Sequence, residues 1–308
     1  MIITRTPLRI SFVGGGSDRP GFYQEEPGAC VAASIDKYVY VAVNPKYDGS
    51  IRVAYSLTED VNSIDDLHHE LARETLRWCG IDHGIEIHSI ADIPGGTGLG
   101  SSSAFTVGLL DALKPERGAL WWAHIACGVE MVRCAKPIGK QDQYTAAYGG
   151  VNLLGFSSEG VTVSQVACDA EVLQSHCLLL DTGMVRNGDA GAVLAAQTQD
   201  RDDVRELAAM ARFFARALAD GDMPLCGAIM ADAWEMKRRF VGSLYDAMYQ
   251  AGIGAGAWGG KLCGAGGGGF MLFFAPPDRH AAIVDALGLR HIPIRVGVPG
   301  SEVIWPAR

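Results

Sequence analysis

The sequence predicts an α+β fold, and three observations carry the prediction. The first half of the chain contains strand-like runs with helical patterns inserted between them. From about residue 189 to 253 the chain is rich in Ala, Leu, Met and Arg and almost free of strand signals. Residues 261–263 and the apolar run 270–274 then flank a glycine-rich segment as an expected hairpin-like pair. Strands and helices grouped along the chain in this way are typical of α+β proteins.

The first half supplies most of the predicted strands. β-Branched and aromatic residues or strict alternation indicate strands at residues 9–13, 38–43, 51–56, 84–90, 150–156, 161–167 and 178–180. Helical patterns occur at about 65–79, 101–113 and 118–134. In the first of these, Leu67, Leu71 and Trp78 recur with an approximate 3.6-residue period, which places them on one face of a helix.

The second half is predicted to contain helices and a short sheet. Residues 221–224 separate two helices, with Asp222 as the N-cap and Pro224 in the first turn. A last helix is expected at about 278–288. We divide the chain into two domains, residues 1–165 and 166–308.

The composition of the 308 residues is that of an ordinary globular protein, with 48% hydrophobic and 20% charged residues. A formal net charge of −9 argues against a general surface for nucleic acid or anionic membranes, so we expect neither as a partner. No apolar run is long enough to cross a bilayer, and the first residues lack a secretory apolar core. We therefore expect a cytoplasmic protein. The eight cysteines contain no CxxC pair, which disfavours a zinc site and a disulfide framework.

The most informative segment, residues 94–104, lies between a predicted strand and a predicted helix. Its four glycines allow a tight turn that brings backbone N–H groups close to a ligand. Its serines fall where the helix begins, and N–H donors at the positive end of a helix dipole suit a polyphosphate. The alternative is a glycine-rich turn with a serine cap. The candidate phosphate-binding residues are Pro94, Gly95, Gly96, Thr97, Gly98, Leu99, Gly100, Ser101, Ser102 and Ser103.

An earlier glycine-rich segment, residues 14–18, follows a predicted strand, as a dinucleotide-binding turn does. Arg19 occupies the place of the third glycine, and Pro20 interrupts the helix that should follow, so this interpretation is disfavoured. We interpret the segment as a substrate loop in which Asp18 accepts hydrogen bonds from sugar hydroxyls. The alternative is a tight loop with an Asp cap.

The last glycine-rich segment, residues 264–269, contains a literal G-x-G-x-x-G. A predicted strand follows it where dinucleotide binding requires a helix, so the motif fails its structural context. Five glycines in six residues carry an entropic cost. Close approach of this backbone to a ligand or to the other loop would account for them.

Phosphoryl transfer needs a phosphate cradle, a divalent metal and a group that accepts the proton of the attacking hydroxyl. Asp142 could take that proton or hold the hydroxyl in line, but local sequence favours a simple helix N-terminal Asp. Glu130 is either a surface residue or an inward-facing magnesium ligand. Arg9 points either to solvent or into a cleft, where it would lower the pKa of the reacting hydroxyl. Arg186 is either an anion clamp or an exposed loop residue.

Taken together and in this order, the three glycine-rich segments resemble the superfamily of galactokinase, homoserine kinase, mevalonate kinase and phosphomevalonate kinase, the GHMP kinases. The matching stretches are residues 6–11, 14–18, 94–104 and 261–269. Residues 14–18, 139–144, 148–150, 182–183 and 186 are most similar to the bacterial heptose-phosphate kinases of that superfamily. The resemblance implies a two-domain α+β fold with the active site in the cleft between the domains.

The resemblance also implies roles for individual residues. It implies that the 94–104 loop wraps the phosphates of ATP and that Ser102 and Glu130 bind Mg²⁺. It implies that Asp142 is the catalytic carboxylate and that Arg9 stabilises the hydroxyl as it loses its proton. The candidate substrate-binding residues are Gly16, Ser17, Asp18, Lys140, Arg186, Gly266 and Gly267. The candidates for a phosphate carried by the sugar are Lys140 and Arg186.

The reaction that the resemblance implies is ATP-dependent phosphorylation of the anomeric C1 hydroxyl of a heptose 7-phosphate, giving the 1,7-bisphosphate. An octose 8-phosphate 1-kinase of an antibiotic sugar pathway, or another sugar 1-kinase of the fucose or galactose type, is the alternative. The expected partners are ATP, Mg²⁺ and a phosphorylated sugar, and a homodimer is left open. A decarboxylase is disfavoured by the sugar-type loop at 14–18, and a non-catalytic binding protein by the retained candidate catalytic residues.

Overall fold

The computed structural model describes residues 1–184, 200–240 and 243–306, which form two β-sheets and the helices packed on them. The strands of the larger sheet are β1 Ile2–Val13, β2 Gly28–Pro45, β3 Ile51–Ala54, β4 Thr58–Val61, β5 Ile85–Ala91, β6 Val151–Ser157, β7 Gly160–Gln165 and β12 Glu302–Trp305. The strands of the smaller sheet are β8 Cys177–Asp181, β9 Gly259–Leu262, β10 Phe270–Phe274 and β11 Arg290–His291.

The helices fall between these strands. Their bounds are α1 Pro20–Tyr23, α2 Glu70–Cys79, α3 Ser101–Leu113, α4 Ala119–Cys127, α5 Gln141–Tyr148, α6 Ala170–His176, α7 Arg201–Ala219, α8 Met223–Lys237, α9 Ser243–Gly254 and α10 His280–Leu287. A π-helical turn, Gly128–Arg133, continues α4. Within the described ranges, none of these helices combines the length and the apolar character that a membrane span requires.

Strand β2 organises the larger sheet, whose main order is β12-β1-β2-β5-β3-β4. It pairs along its length with β1, through Gly28–Ala33 with β6, and through Val39–Pro45 with β5. Its first eight residues are all buried. The end of β1 and the beginning of β2 are therefore held in the interior of the sheet.

Helix α3 packs closely on β1. Thr4 Oγ1 donates a hydrogen bond to the carbonyl of Gly108 at 2.9 Å. A Cβ atom on Gly108 would lie 2.6 Å from Thr6 Oγ1, so a larger residue would push the helix off the strand. Just before the helix, the carbonyl of Leu99 accepts a hydrogen bond from the Arg9 amide at 3.0 Å. The beginning of α3 is thus fixed beside the middle of β1.

The smaller sheet has the order β11-β8-β10-β9. The antiparallel pairing of β9 with β10 confirms the hairpin-like pair predicted around the last glycine-rich segment. Helix α7 contacts β1 and β2 of the larger sheet. Phe214 of α7 stacks on Phe12 of β1, with ring centroids 5.1 Å apart. The second half of the chain therefore covers the end of β1.

The last strand crosses the division that we placed at residue 165. Strand β12 pairs antiparallel with β1 and so belongs to the larger sheet. Apart from this strand, the larger sheet lies before residue 165 and the smaller sheet after it.

Two helices differ from the sequence prediction. The helix expected at 65–79 begins at Glu70, because Nδ1 of the preceding His69 accepts a hydrogen bond from the amide of Ala72 and caps it. The helix expected at 118–134 is α-helical only to Cys127. The π-helical turn follows, a local widening that periodicity does not reveal and that occurs often at functional sites.

Two glycine-rich segments touch through their backbones. A Cβ atom on Gly98 would lie 2.6 Å from the carbonyl oxygen of Cys263, and one on Gly264 would lie 2.6 Å from Cα of Gly98. A Cβ atom on Gly269 would lie 2.0 Å from the carbonyl oxygen of Thr97. These distances leave no room for a side chain. Close approach to the other loop therefore accounts for glycine at these positions.

We expect Gly98→Ala to lower the free energy of unfolding more than the matched control Gly221→Ala. Both glycines have positive φ, +81° and +74°, so each alanine costs about 1–2 kcal/mol in backbone strain. A Cβ atom on Gly221 meets nothing within 4 Å, whereas that on Gly98 meets backbone. The forced repacking should cost roughly a further 1–3 kcal/mol at position 98. Urea unfolding measures both losses, and equal losses would contradict the backbone contact.

Candidate active site

A cavity of about 720 Å³ lies between the larger sheet and the helices of the second half. Its walls come from the end of β1, the 14–18 segment, the 94–104 loop, the beginning of α5 and parts of α7 and α8. Gly264 and Ala265 add the last glycine-rich segment. A concave space of this size suits a small-molecule ligand. All three glycine-rich segments therefore meet at one cavity.

Arg9 and Asp142 form a two-pronged ion pair in the cavity wall. Arg9 Nε and Nη2 donate to the two carboxylate oxygens of Asp142 at 2.7 and 2.8 Å. Burial lowers the pKa of Arg9, but the charge and hydrogen bonds of Asp142 outweigh it, so the pKa is raised. The Asp142 side chain remains 24% exposed. The pair thus fixes a carboxylate that still reaches the cavity.

The same arginine holds the 94–104 loop. Arg9 Nη1 donates to the carbonyl of Gly98 at 2.6 Å. A Cβ atom on Gly100 would lie 3.3 Å from both Arg9 Cγ and Asp142 Oδ2. The loop, β1 and the beginning of α5 therefore meet at one guanidinium group.

The N-terminus of α3 opens at the cavity without a side-chain cap. Its N-cap, Gly100, has a left-handed backbone with φ 79° and offers no side chain. Ser101, Ser102 and Ser103 line the cavity, whereas Thr97 and Leu99 are buried in the loop. The first amides of a helix have no intrahelical acceptor, so this end can receive an anion.

Glu130 lies in the π-helical turn and is fully buried. Its surroundings use only part of the hydrogen-bonding capacity of its carboxylate. Its Oε2 accepts a hydrogen bond from Ser103 Oγ at 2.9 Å. Its Oε1 has no hydrogen-bond partner among the described residues, and neither has the buried amide of Gln143. Burial raises the pKa of Glu130 to about 7, although the Ser103 bond opposes the shift.

These oxygen atoms fit a divalent cation. Mg²⁺ prefers oxygen ligands and needs only one or two carboxylates from the protein. An unpartnered buried carboxylate oxygen beside a serine hydroxyl offers that donor set. The serine in contact with Glu130 is Ser103, whereas the predicted Ser102 is exposed. Among the residues that the structure describes, no group of three or more His, Cys, Asp or Glu side chains provides an alternative.

Asp18 connects the 14–18 segment to α5. Its Oδ1 accepts from the amide of Gly16 at 3.0 Å, and its Oδ2 accepts from the amide of Gln141 at 3.2 Å. Burial raises the pKa of Asp18, although these amides act in the opposite direction. A Cβ atom on Gly139 would lie 1.8 Å from Asp18 Oδ2, so this position requires glycine. The side chain both caps α5 and lines the cavity.

Several predicted substrate-binding residues lie away from the cavity. Ser17 is fully buried and donates to the carbonyls of Gly14 and Ala29. The ammonium group of Lys140 lies 4.3 Å from the ring centroid of Tyr23. The candidates among the described residues that do not line the cavity are Ser17, Lys140, Gly266 and Gly267. Arg186 lies outside the described residues.

Sequence reasoning missed residues at both ends of the cavity. At one end, the ring of His69 lies 4.6 Å from that of Tyr55 and 4.9 Å from that of Phe105, centroid to centroid. At the other, Lys237 of α8 and Lys261 of β9 contribute to the wall. Lys261 lies in the matching stretch 261–269, but no role was predicted for it. Only the folded chain brings these residues to one cavity.

Comparison with known proteins places these features in a family. The family model described as GHMP kinases N terminal domain matches residues 64–150, and the model described as GHMP kinases C terminal matches residues 214–291. Together the two models cover more than half of the chain. Their matches include the 94–104 loop, Glu130 and Asp142 in the first half, and Lys237 and Lys261 in the second.

Individual relatives agree with this result. The chain is 27% identical to a D-glycero-alpha-D-manno-heptose 7-phosphate kinase of Campylobacter jejuni, over 93% of each chain. It is 26% identical to a bifunctional fucokinase/GDP-fucose pyrophosphorylase of Arabidopsis thaliana, over 87% of this chain and 29% of that protein. A crystal structure described as a D-glycero-D-manno-heptose 1-phosphate kinase from Bacteriodes thetaiotaomicron superposes over 100% of both chains with a TM-score of 0.82 at 24% identity. This likeness shows the fold.

We expect Glu130→Gln to weaken Mg²⁺ binding strongly, because the amide keeps the shape of the side chain but not its charge. Ser103→Ala should weaken it about 10–100-fold, since an orienting partner of the carboxylate is lost. Ser102→Ala should have a smaller effect. Calorimetric titration of MgCl₂ in the presence of a non-hydrolysable ATP analogue measures the three affinities. An unchanged affinity in Glu130→Gln would remove Glu130 as the ligand.

Proposed function

This chain belongs to the GHMP kinase family, and on that basis we propose that it transfers the γ-phosphoryl group of ATP to the anomeric C1 hydroxyl of a heptose 7-phosphate. The product would be the 1,7-bisphosphate. The observation that supports this choice of substrate is the likeness to the Campylobacter jejuni heptose 7-phosphate kinase, which extends over 93% of both chains.

The 94–104 loop and the N-terminus of α3 bind the phosphates of ATP in this proposal. Ser101, Ser102 and Ser103 bring hydroxyls and first-turn amides to the cavity. The absence of a side-chain cap on this helix leaves its amides available for an anion. The contact between Arg9 and Gly98 fixes the loop before the ligand arrives, which reduces the ordering cost of binding.

Asp142 receives the proton of the attacking hydroxyl. The C1 oxygen then forms a bond to the γ-phosphorus, and the bond from that phosphorus to the β,γ-bridging oxygen breaks to release ADP. Each carboxylate oxygen of Asp142 accepts one hydrogen bond from Arg9 and keeps a lone pair for the hydroxyl. Arg9 holds the carboxylate in line and offsets negative charge as the proton moves. Positioning of this kind and electrostatic stabilisation supply most of the catalysis in phosphoryl transfer.

Glu130 and Ser103 would hold Mg²⁺, which would neutralise negative charge on the phosphoryl oxygens. Glu130 cannot be satisfied by the serine hydroxyl alone, because its Oε1 lacks a partner among the described residues. A cation that arrived with the nucleotide would favour the charged form of this carboxylate, whose pKa burial raises to about 7.

Asp18 binds hydroxyls of the sugar. Its two carboxylate oxygens are oriented by the amides of Gly16 and Gln141, and each retains a lone pair for a hydroxyl. The residue after Gln141 is Asp142, so the sugar-binding and proton-accepting carboxylates are set by the same turn of chain. A sugar bound by Asp18 would therefore lie close to the proposed catalytic carboxylate.

A fucose-type 1-kinase is the second candidate. The observation that favours it is the 26% identity to the bifunctional fucokinase, which extends over 87% of this chain. Neither residue predicted to bind a phosphate on the sugar is among the described residues that line the cavity. Lys140 lies between two lining residues but contacts the Tyr23 ring, and Arg186 lies outside the described residues.

An ADP-release assay over matched acceptors tests the proposal. We expect the highest kcat/KM with a heptose 7-phosphate, lower values with an octose 8-phosphate, and little turnover with the same heptose lacking its phosphate, fucose or galactose. ³¹P NMR of the product should show the new phosphate at C1. A higher kcat/KM with free fucose or galactose would instead support the second candidate.

A further inference from the structure

Two lysines in the cavity wall have no role in the chemistry described so far. Lys237 is the last residue of α8, and Lys261 lies in β9 of the smaller sheet. Both line the cavity, as Asp18 does. They are 24 positions apart in the sequence, and the packing of α8 on β9 brings them to the same place.

Both ammonium groups are bonded to backbone carbonyls. Lys237 Nζ donates to the carbonyls of Leu262 and Gly264 at 2.6 and 2.8 Å. Lys261 Nζ donates to the carbonyl of Phe12 at 3.0 Å. An ammonium group has three N–H donors, so one on Lys237 and two on Lys261 remain for a ligand.

Carbonyl oxygens do not neutralise these charges. Within residues 1–184, 200–240 and 243–306, neither lysine has an ion-pair partner. Asp18 affects Lys261 only through its charge, without a hydrogen bond between them. Burial raises the pKa of the neighbouring Cys263 thiol, so this thiol does not supply a negative charge. Both oxygens of Asp142 accept from Arg9, and neither lysine donates to this carboxylate. The cavity therefore contains positive charge that the described protein leaves uncompensated.

The pKa directions agree with this charge balance. Burial, together with repulsion from Arg9, lowers the pKa of Lys261 to about 8. Burial and the charge of Lys261 hold the pKa of Lys237 well below its usual range. A buried cation is costly unless it is paired, so an anion in the cavity would relieve both groups.

We propose that Lys237 and Lys261 form a subsite that binds a phosphoryl group in this cavity. This proposal rests on the proposed kinase function in one respect, the identity of the molecule that carries the phosphoryl group. Two sources share the required chemistry: the terminal phosphate of the sugar and the phosphoryl group transferred from ATP. Gly264, whose carbonyl accepts from Lys237, lies against Gly98, so Lys237 is close to the 94–104 loop.

Lys237→Met and Lys261→Met test the subsite, because methionine keeps an apolar stem and removes the charge. Lys46→Met is the matched control, since Lys46 is paired with Asp60 away from the cavity. Each variant is assayed with ATP, a phosphorylated heptose and the same heptose without its phosphate. Cooperative thermal unfolding confirms that each variant is folded, and Lys→Gln replaces any Lys→Met variant that is not.

The two sources give different results. If the subsite binds the sugar's phosphate, KM for the phosphorylated heptose should rise at least tenfold, with little change for the unphosphorylated heptose or ATP. If it binds the transferred group, kcat should fall at least tenfold with both sugars. Either pattern supports the subsite. Values within twofold of wild type for all three substrates, in folded variants, would overturn it.

An equilibrium measurement separates this proposal from the proposed function. Inorganic phosphate should raise the unfolding temperature of the wild-type protein and of Lys46→Met. The rise should be smaller in Lys237→Met and Lys261→Met, even if no sugar tested is a substrate. An equal rise in all four proteins would overturn the subsite while leaving the kinase assay as the test of function.

Discussion

The ion pair between Arg9 and Asp142 is the interaction on which the candidate active site depends. Arg9 is 4% exposed, and a buried guanidinium group without a partner would be strongly destabilising. Its three donor nitrogens bind both oxygens of Asp142 and the carbonyl of Gly98. One side chain thereby connects β1, the 94–104 loop and α5. The carboxylate and the phosphate-binding backbone are consequently fixed relative to each other before any ligand binds.

Backbone contact between glycines joins this centre to the second half of the chain. Gly98 meets Cys263 and Gly264, and Thr97 meets Gly269, at distances that only glycine permits. Strand β9 leads into this contact, and its Lys261 lines the cavity and donates to the carbonyl of Phe12 in β1. The cavity thus belongs to neither half alone, because both halves contribute residues to its wall.

The sequence predicts a helix or strand correctly where its local signal is strong. It does not predict the parts of the site that depend on one particular residue or on a contact between distant segments. Helix α3 has the predicted bounds, Ser101–Leu113, since an apolar run follows a glycine-serine start. Which serine faces Glu130 depends on about 100° of helix rotation per residue. The contact falls to Ser103 and not to its neighbour. Lys237 belongs to no local motif, and Lys261 begins the matching stretch 261–269 without a predicted role, so tertiary packing is what brings the two lysines together. The GHMP resemblance supplied the two-domain architecture, which periodicity by itself left as a general α+β fold.

The most direct test of the central claim is the turnover of Asp142→Asn beside Asp222→Asn, an Asp at the N-terminus of another helix. Asp222 caps α8 through the amide of Leu225 and lies outside the cavity. The account predicts that kcat falls about 10²–10⁴-fold in Asp142→Asn while the affinity for ATP changes little, because proton acceptance is lost and the phosphate cradle remains. Asp222→Asn should keep wild-type turnover. The account would be contradicted if Asp142→Asn kept a near-normal kcat and lost thermal stability as Asp222→Asn does. Asp142 would then act only as a helix cap.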